Sequence, residues 1–352
     1  MQIRQVVVTG RNQVELETVE MDAALQPDEL LVRTEWTFIS TGTELANYTG
    51  KEPFAFVPGS WCAYPWKSGY GNVGTVEAVG SAVSRFQPGD RVFSTAPHAS
   101  CVKVHQAHLV MLVPPDLDPC TAAATRMAGV GVSALIMADL RLHPWVAVFG
   151  LGLVGNLAAQ AFRIMGGRVI GVDPNASRRR LAETCGIAHT VGGSPEDAQQ
   201  AIADLTGTGG MVDIAVEATG LTPVVLQAMG ATANLGQVLL LGTPRGPCPG
   251  DLTPVFLDIH LRNLTVRGAL EWCPPTYPVV SSQGKPTFPI MSLYEKQMMI
   301  FNWVQSGQMR IEPLISHRLP PTTIRQAYDG LLREPETYIG VALDWRAHAG
   351  QD

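Results

Sequence analysis

Gly150, Gly152 and Gly155 stand in the spacing Gly-x-Gly-x-x-Gly at the end of the run Val146-Ala147-Val148-Phe149. That run is β-branched and aromatic, as a buried strand requires, and an apolar helical pattern follows from Leu157 to Met165. A turn of this kind can hold a pyrophosphate. Gly150 allows the tight turn, Gly152 lets the backbone approach the phosphates, and Gly155 lets the helix pack close to the strand. The helix start, at Leu153 and Val154, faces the anion. A second apolar run, Arg168-Val169-Ile170-Gly171-Val172, ends in Asp173, where an acid accepts hydrogen bonds from the ribose of an adenine dinucleotide. A carboxylate repels a 2′-phosphate, so NAD is expected over NADP. Arg178, Arg179 and Arg180 follow, either as the solvated first turn of the next helix or, through one of them such as Arg178, as a partner for that phosphate. Thr219, Gly220, Gly242 and Thr243 come just after two later strand-like runs and complete the expected cofactor-binding set.

Strands and helices alternate around this motif. Strand-like runs fall at Val146–Phe149, Arg168–Val172, His189–Val191, Met211–Glu217, Gln237–Leu241 and Leu264–Gly268. Helices lie between them. Ser194 caps one, with Pro195 at its first position and Asp197 in its first turn, and Thr222-Pro223 opens another in the same way. The alternation predicts an α/β fold with a doubly wound parallel sheet of six strands. The first 120 residues or so read differently. Strand-like segments at Ile3–Thr9, Glu29–Phe38, Gly74–Val79, Arg91–Ser94 and Cys101–Val104 are separated by glycine and proline, which suggests a small distorted barrel. Within this part, Trp61, Tyr64, Trp66 and Tyr70 crowd one loop, which either lines a pocket for a flat ligand or packs a small core of its own. An apolar, alanine-rich stretch, Thr121–Leu140, forms a helical bridge between the two parts. Beyond a proline-rich connection at Trp272–Pro278, helices are expected over Tyr294–Ser306, closed by Gly307, and over Thr322–Leu332, with a last strand at Tyr338–Leu343.

The composition narrows the function classes. At 352 residues the chain holds two domains of ordinary size, and 46% hydrophobic against 16% charged residues gives it enough to bury a large core. A net charge of −6 and the lack of any basic run argue against nucleic acid as a partner. Met1–Gly10 has no signal-peptide core and no apolar run approaches membrane-spanning length, so no membrane partner is expected. Six scattered cysteines without a Cys-x-x-Cys pair suit neither a zinc ribbon nor a disulfide framework, which points to a reduced, cytoplasmic protein. His105 and His108, three apart, read as polar loop residues rather than metal ligands.

Further motifs stand in order along the chain: Gly69-Tyr70-Gly71-x-x-Gly74-x-Val76-x-x-Val79-Gly80, Pro88-Gly89-Asp90-Arg91-Val92, the dinucleotide motif, Val212-Asp213-x-x-x-Glu217-Ala218-x-Gly220, and Leu264-Thr265-Val266-Arg267-Gly268. With these the chain resembles, over nearly its whole length, the medium-chain dehydrogenase/reductase superfamily of alcohol-dehydrogenase-like proteins. The resemblance implies a GroES-like β-barrel catalytic domain built from residues 1–125 and 272–352, around a Rossmann domain at residues 126–271. It also implies a homodimer joined through the edge strand near Leu264–Gly268. The stretch Ile39-Ser40-Thr41-Gly42-Thr43-Glu44 is similar to the bacteriochlorophyllide a dehydrogenase branch and to sugar- and cyclitol-acting relatives.

The departures from the family pattern carry the catalytic reading. Zinc-type members have Gly-His-Glu where this chain has Gly69-Tyr70-Gly71. Their cysteine ligand is replaced by Thr41, or by Ser40 on a one-residue shift, and their third ligand position falls near Thr125. His98 sits at no ligand position of the family. Hydroxyls do not replace thiolate, imidazole and carboxylate, so no zinc is expected. Hydroxyl donors would then stabilise the alkoxide of hydride transfer. Thr41, Thr43 and Tyr70 are the candidates, because family geometry puts them around the vacated position. Tyr70 acts as general acid or base if its pKa is lowered, with Lys67 as a nearby cation, or else it merely fills the zinc's space. Glu44 orients ribose or substrate, relays a proton, or is simply a helix-start carboxylate. The leading expectation is a zinc-independent NAD-dependent dehydrogenase interconverting a secondary alcohol and a ketone. The alternatives are an enone or quinone reductase using NADPH, and a non-catalytic NAD-binding protein.

Overall fold

The computed structural model describes residues 1–207, 210–281 and 291–346. The chain divides into two compact units: Met1–Arg126 with Pro274–Gln305 and Leu314–Asp352, and Met127–Cys273 with Ser306–Pro313.

In the second unit six parallel strands run in the order His189–Val191, Arg168–Val172, Trp145–Phe149, Val212–Glu217, Thr232–Leu240, Thr265–Gly268. The central strands are apolar almost without interruption because both faces are covered; Val146, Ala147, Val148, Ala215 and Val216 have no exposed surface. The strand that comes first in sequence lies at the centre. The order therefore reverses between Trp145–Phe149 and Val212–Glu217, which opens a binding position beyond their carboxyl ends.

Local sequence explains much of the rest. Ser194 caps the helix Pro195–Thr206 reciprocally with Asp197: the Asp197 amide donates to Ser194 Oγ and the Ser194 amide to Asp197 Oδ2, each at 3.1 Å. Thr222 departs from expectation. It is the first helical residue of Thr222–Ala231, Leu221 holds the cap position, and no side chain caps it. Thr219 Oγ1 takes the Leu221 amide at 3.0 Å instead. The strand expected at Gln237–Leu241 starts at Thr232, across a register irregularity opposite Val212 and Ile214. The helix Thr253–Arg262 has no fully buried residue, and only Val255 and Ile259, one turn apart, pack partly buried against the core of the sheet.

The first unit is sheet-rich. Its seven-stranded sheet turns on the long strand Glu29–Phe38. One stretch of that strand pairs with Cys101–His105 and another with Val341–Asp344, while Asn72–Val79 runs along nearly all of it. The late strand thus joins the two ends of the chain in one sheet. A second sheet holds Gln13–Glu20, Gln2–Gly10 and Trp66–Lys67. The aromatic loop divides its members. Tyr64 and Trp66 pack against the core of Val6, Val8, Tyr48 and Tyr328, and the exposed Trp61 stands edge-on to Trp66. Self-packing accounts for three of the four rings.

The bridging helix, Pro119–Met137, corrects the reading that no run approaches membrane-spanning length. It has 19 residues and a mean hydropathy of 1.4, yet 89% of that stretch is buried inside the protein, as in a core helix. None of the six cysteines is in a disulfide; Cys62, Cys101, Cys120 and Cys185 are buried, Cys248 and Cys273 exposed.

Candidate active site

The glycine turn is shaped as the sequence implies. Gly150 has φ +92°, a region that favours glycine, and a Cβ there would lie 2.6 Å from Thr219 Cγ2. A Cβ on Gly155 would meet the Gly150 carbonyl oxygen at 1.8 Å, whereas one on Gly152 would meet nothing within 4 Å. Gly152 precedes the helix Leu153–Ile164, whose first amides, at Leu153, Val154 and Gly155, no side chain caps. Open space in front of uncapped amides at a helix start fits a pyrophosphate.

Asp173 is 2% exposed. Its Oδ2 accepts the Leu151 amide and its Oδ1 the Asn175 amide, both at 2.8 Å. The carboxylate therefore pins the glycine turn to the second strand, with further lone pairs remaining for ribose hydroxyls. Of the three arginines, Arg178 reaches the carboxylate, Nη1 to Oδ2 at 3.7 Å. Arg179 turns back onto the carbonyls of Asp173 and Pro174 at 2.7 and 2.9 Å, and Arg180 is exposed. Across the sheet, the buried Glu217 accepts the amides of Thr219 and Gly220 at 2.6 and 3.0 Å. Gly220, at φ +72°, passes so close to the next loop that a Cβ would lie 2.6 Å from the Thr243 carbonyl, and one on Gly242 would lie 2.1 Å from the Gly220 nitrogen. Thr219, Gly220, Gly242 and Thr243 thus come together beside Gly150.

In the first unit the hydroxyls gather around Tyr70. Its phenol oxygen is hydrogen-bonded to Ser40 Oγ and lies 3.3 Å from Thr43 Oγ1. Ser40, rather than Thr41, makes the contact; Thr41 is half-buried and engaged in no side-chain hydrogen bond among the described residues. Arg126, absent from the sequence reading, lies beneath the ring with Cζ 4.7 Å from the centroid and Nε donating to the Tyr70 carbonyl at 3.1 Å. Lys67 is exposed on the strand Trp66–Lys67, so Arg126 replaces it as the nearby cation. Burial raises the Tyr70 pKa above its ordinary value; the Arg126 guanidinium and the bonds from Ser40 and Thr43 pull it down, and Glu44 pushes it up. The lowered pKa that a base would need is not present. A protonated phenol, a donor, is.

Glu44, expected to orient ribose or substrate, to relay a proton, or to be a helix-start carboxylate, stands in the first turn of the helix Thr43–Tyr48 with no exposed surface. Its Oε1 accepts the Ser40 amide at 2.8 Å. Its Oε2 accepts the Tyr328 hydroxyl at 2.6 Å and faces His98 Nε2 at 3.0 Å, so that nitrogen carries the proton. His98 is fully buried, and its main chain is tied to Val6 and Ser68. Neither His98 nor Tyr328 could be found as a partner from sequence, since they lie 54 and 284 residues from Glu44.

This donor set does not fit a zinc ion. Zinc takes thiolate, imidazole or carboxylate ligands, but the groups at Tyr70 are hydroxyls, and the nearest carboxylate and imidazole are spent on each other. Thr125 is fully buried, donates to the Ala122 carbonyl at 2.5 Å and accepts from Gln297 Nε2 at 2.7 Å. Among the described residues no three His, Cys, Asp or Glu side chains group as a metal site.

Two family models match: the alcohol dehydrogenase GroES-like domain over residues 26–148 and the zinc-binding dehydrogenase over residues 154–283. An L-threonine 3-dehydrogenase of Bacillus velezensis is 27% identical over 232 residues, 66% of this chain and 60% of that protein, so the match spans less than two thirds of its length. A 2-desacetyl-2-hydroxyethyl bacteriochlorophyllide A dehydrogenase of Cereibacter sphaeroides is 25% identical over 98% of both chains. A dehydrogenase of Sinorhizobium meliloti solved with NADP shares the fold, at TM-score 0.77 and 22% identity over 98% of this chain and 99% of that one.

The Glu44 knot makes a stability prediction. Tyr328→Phe removes one donor from a buried carboxylate and is expected to cost about 1.5–3 kcal/mol in urea unfolding. Burial first, and then Glu44, raises the Tyr328 pKa well above its usual value. The unfolded chain therefore releases this proton first, and the contribution is complete below about pH 10 and is lost as pH rises further. Thermal melts of the wild type should fall more steeply above pH 10 than those of Tyr328→Phe; parallel curves would contradict it.

Proposed function

The chain belongs to the medium-chain dehydrogenase/reductase superfamily, and on that premise we propose that it is a zinc-independent, NAD(H)-dependent oxidoreductase interconverting a secondary alcohol and a ketone. Residues 127–273 would hold the cofactor, and the sheet-rich unit would act as the catalytic domain. The observation that carries the reading is the Ser40–Tyr70–Thr43 cluster, a set of proton donors where the family pattern places a metal.

The nicotinamide, when bound, supplies or takes the hydride. In the reducing direction the Tyr70 O–H gives its proton to the substrate oxygen as the carbonyl carbon becomes a carbinol. Ser40 Oγ and Thr43 Oγ1 hold the phenol in place and stand next in line to return a proton. The oxidising direction would need Tyr70 as a phenolate, the form that its burial disfavours, so the site favours reduction. The similarity to a dehydrogenase of a hydroxyethyl group on a tetrapyrrole supports a medium-sized, ring-like or sugar-like substrate. Asp173 supports NAD, and Arg178 at 3.7 Å from it supports the second reading, an NADPH-dependent enone or quinone reductase. A cytoplasmic location is part of the proposal.

A homodimer is proposed through the strand Thr265–Gly268. All four of its residues, Val266 among them, are exposed, among the described residues it pairs on one side only, and Leu261 and Leu270 are exposed beside it. A bare apolar edge of this kind invites a second copy.

Three outcomes are expected. Tyr70→Phe should lower kcat at least about a hundredfold on the active substrate, the usual size of a lost general acid; near-wild-type turnover would remove Tyr70 from the reaction. Nicotinamide fluorescence on metal-analysed protein should give NADH tighter than NADPH without stoichiometric zinc. NADPH tighter would favour the reductase, and one zinc per chain would end the metal-free reading. In light scattering, Val266→Lys should turn a dimer into a monomer, and a monomeric wild type would rule the interface out.

A further inference from the structure

The glycines on either side of Tyr70 mark where two buried side chains enter. A Cβ on Gly69 would lie 2.6 Å from the ring of His98, and one on Gly71 would lie 2.9 Å from Arg126 Cβ. Position 71 is where the zinc-type marker carries glutamate. Here no side chain fits there while Arg126 keeps its place.

Arg126 is 1% exposed, and a guanidinium is removed from water only against strong compensation. Part of that compensation is Tyr70 itself: the Nε bond to its carbonyl and the ring face 4.7 Å from Cζ. We propose that Arg126 is the positioning residue for Tyr70, holding the ring in place and supplying positive charge over its face when the proton leaves. The inference rests on the reading of Tyr70 as proton donor. A cation over a phenol face is attracted by the ring quadrupole, and far more by the charge of a phenolate, in surroundings of low dielectric. The opposing group on the neighbouring helix start is the Glu44 carboxylate, itself held by His98 and Tyr328. Thr43 and Ser40 are neutral. Arg126 is thus the charge on this site that favours proton release.

The test is a ¹⁹F NMR titration of protein carrying 3-fluorotyrosine at position 70, which needs no substrate. Arg126→Met should move the ionisation of that phenol up by more than about one pH unit, a tenfold fall in its ionisation constant. Arg126→Lys, which keeps the charge and loses the plane, should recover at least half of the shift. If Arg126→Met does not fold, Arg126→Gln takes its place. An unchanged titration in the neutral variants, or a lysine variant no different from them, overturns the inference. Turnover separates it from the reading beneath it. If Tyr70→Phe is inactive while the Arg126 variants titrate like wild type, the inference alone fails. If the Arg126 shift appears while Tyr70→Phe turns over normally, the catalytic reading fails and the coupling stands.

Discussion

A carboxylate with no exposed surface must find donors for both oxygens or lose its charge. Glu44 finds three: the Ser40 amide, His98 Nε2 and the Tyr328 hydroxyl. They come from its own turn, from the loop after the strand Arg91–Ser94, and from a helix near the chain's end. No two of these elements can shift without exposing the charge. The same grip sets Ser40, whose hydroxyl then meets Tyr70, and places Thr43 one residue from the anchor. The hydroxyl cluster is therefore the visible edge of a buried electrostatic knot.

The unit with the parallel sheet uses the device twice more. Asp173 holds the amides of Leu151 and Asn175, and Glu217 those of Thr219 and Gly220. Both acids stand at or just past the carboxyl ends of parallel strands, where loops turn through positions only glycine accommodates. Charge-assisted bonds to backbone amides are short and strong, and they keep these loops shaped without filling the space in front of them. Gly152 leaves that space open, while Gly155 closes the gap behind it. A cradle for phosphate needs both.

Around Tyr70 the described side chains are hydroxyls set on a guanidinium, a donor set that does not suit zinc. Zinc-type relatives need soft or anionic ligands; here the imidazole and carboxylate that remain are turned on one another, and the cation is covalently part of the fold. Gly71 leaves room beside Tyr70 that Arg126 fills, since a Cβ there would lie 2.9 Å from Arg126 Cβ.

Sequence by itself determined the order of elements, the six-stranded parallel sheet, the glycine turn and the acid that closes the second strand. These follow from hydrophobic period and from φ requirements, which are local and therefore written in consecutive residues. Tyr70, Thr43 and the departures from the zinc-type pattern were legible only through the family resemblance, which motif spacing carries without contacts. Local logic misplaced the cap at Thr222 and the start of the strand at Thr232, where a side chain two residues away and a register break decided. Only the tertiary structure decided that Ser40 and not Thr41 meets Tyr70, that Glu44 is bound by Ser40, His98 and Tyr328, and that Arg126 rather than Lys67 is the cation nearby. Those choices depend on which side chains share a desolvated volume, and His98, Arg126 and Tyr328 enter it from far along the chain, brought there by sheet pairing that no local spacing encodes.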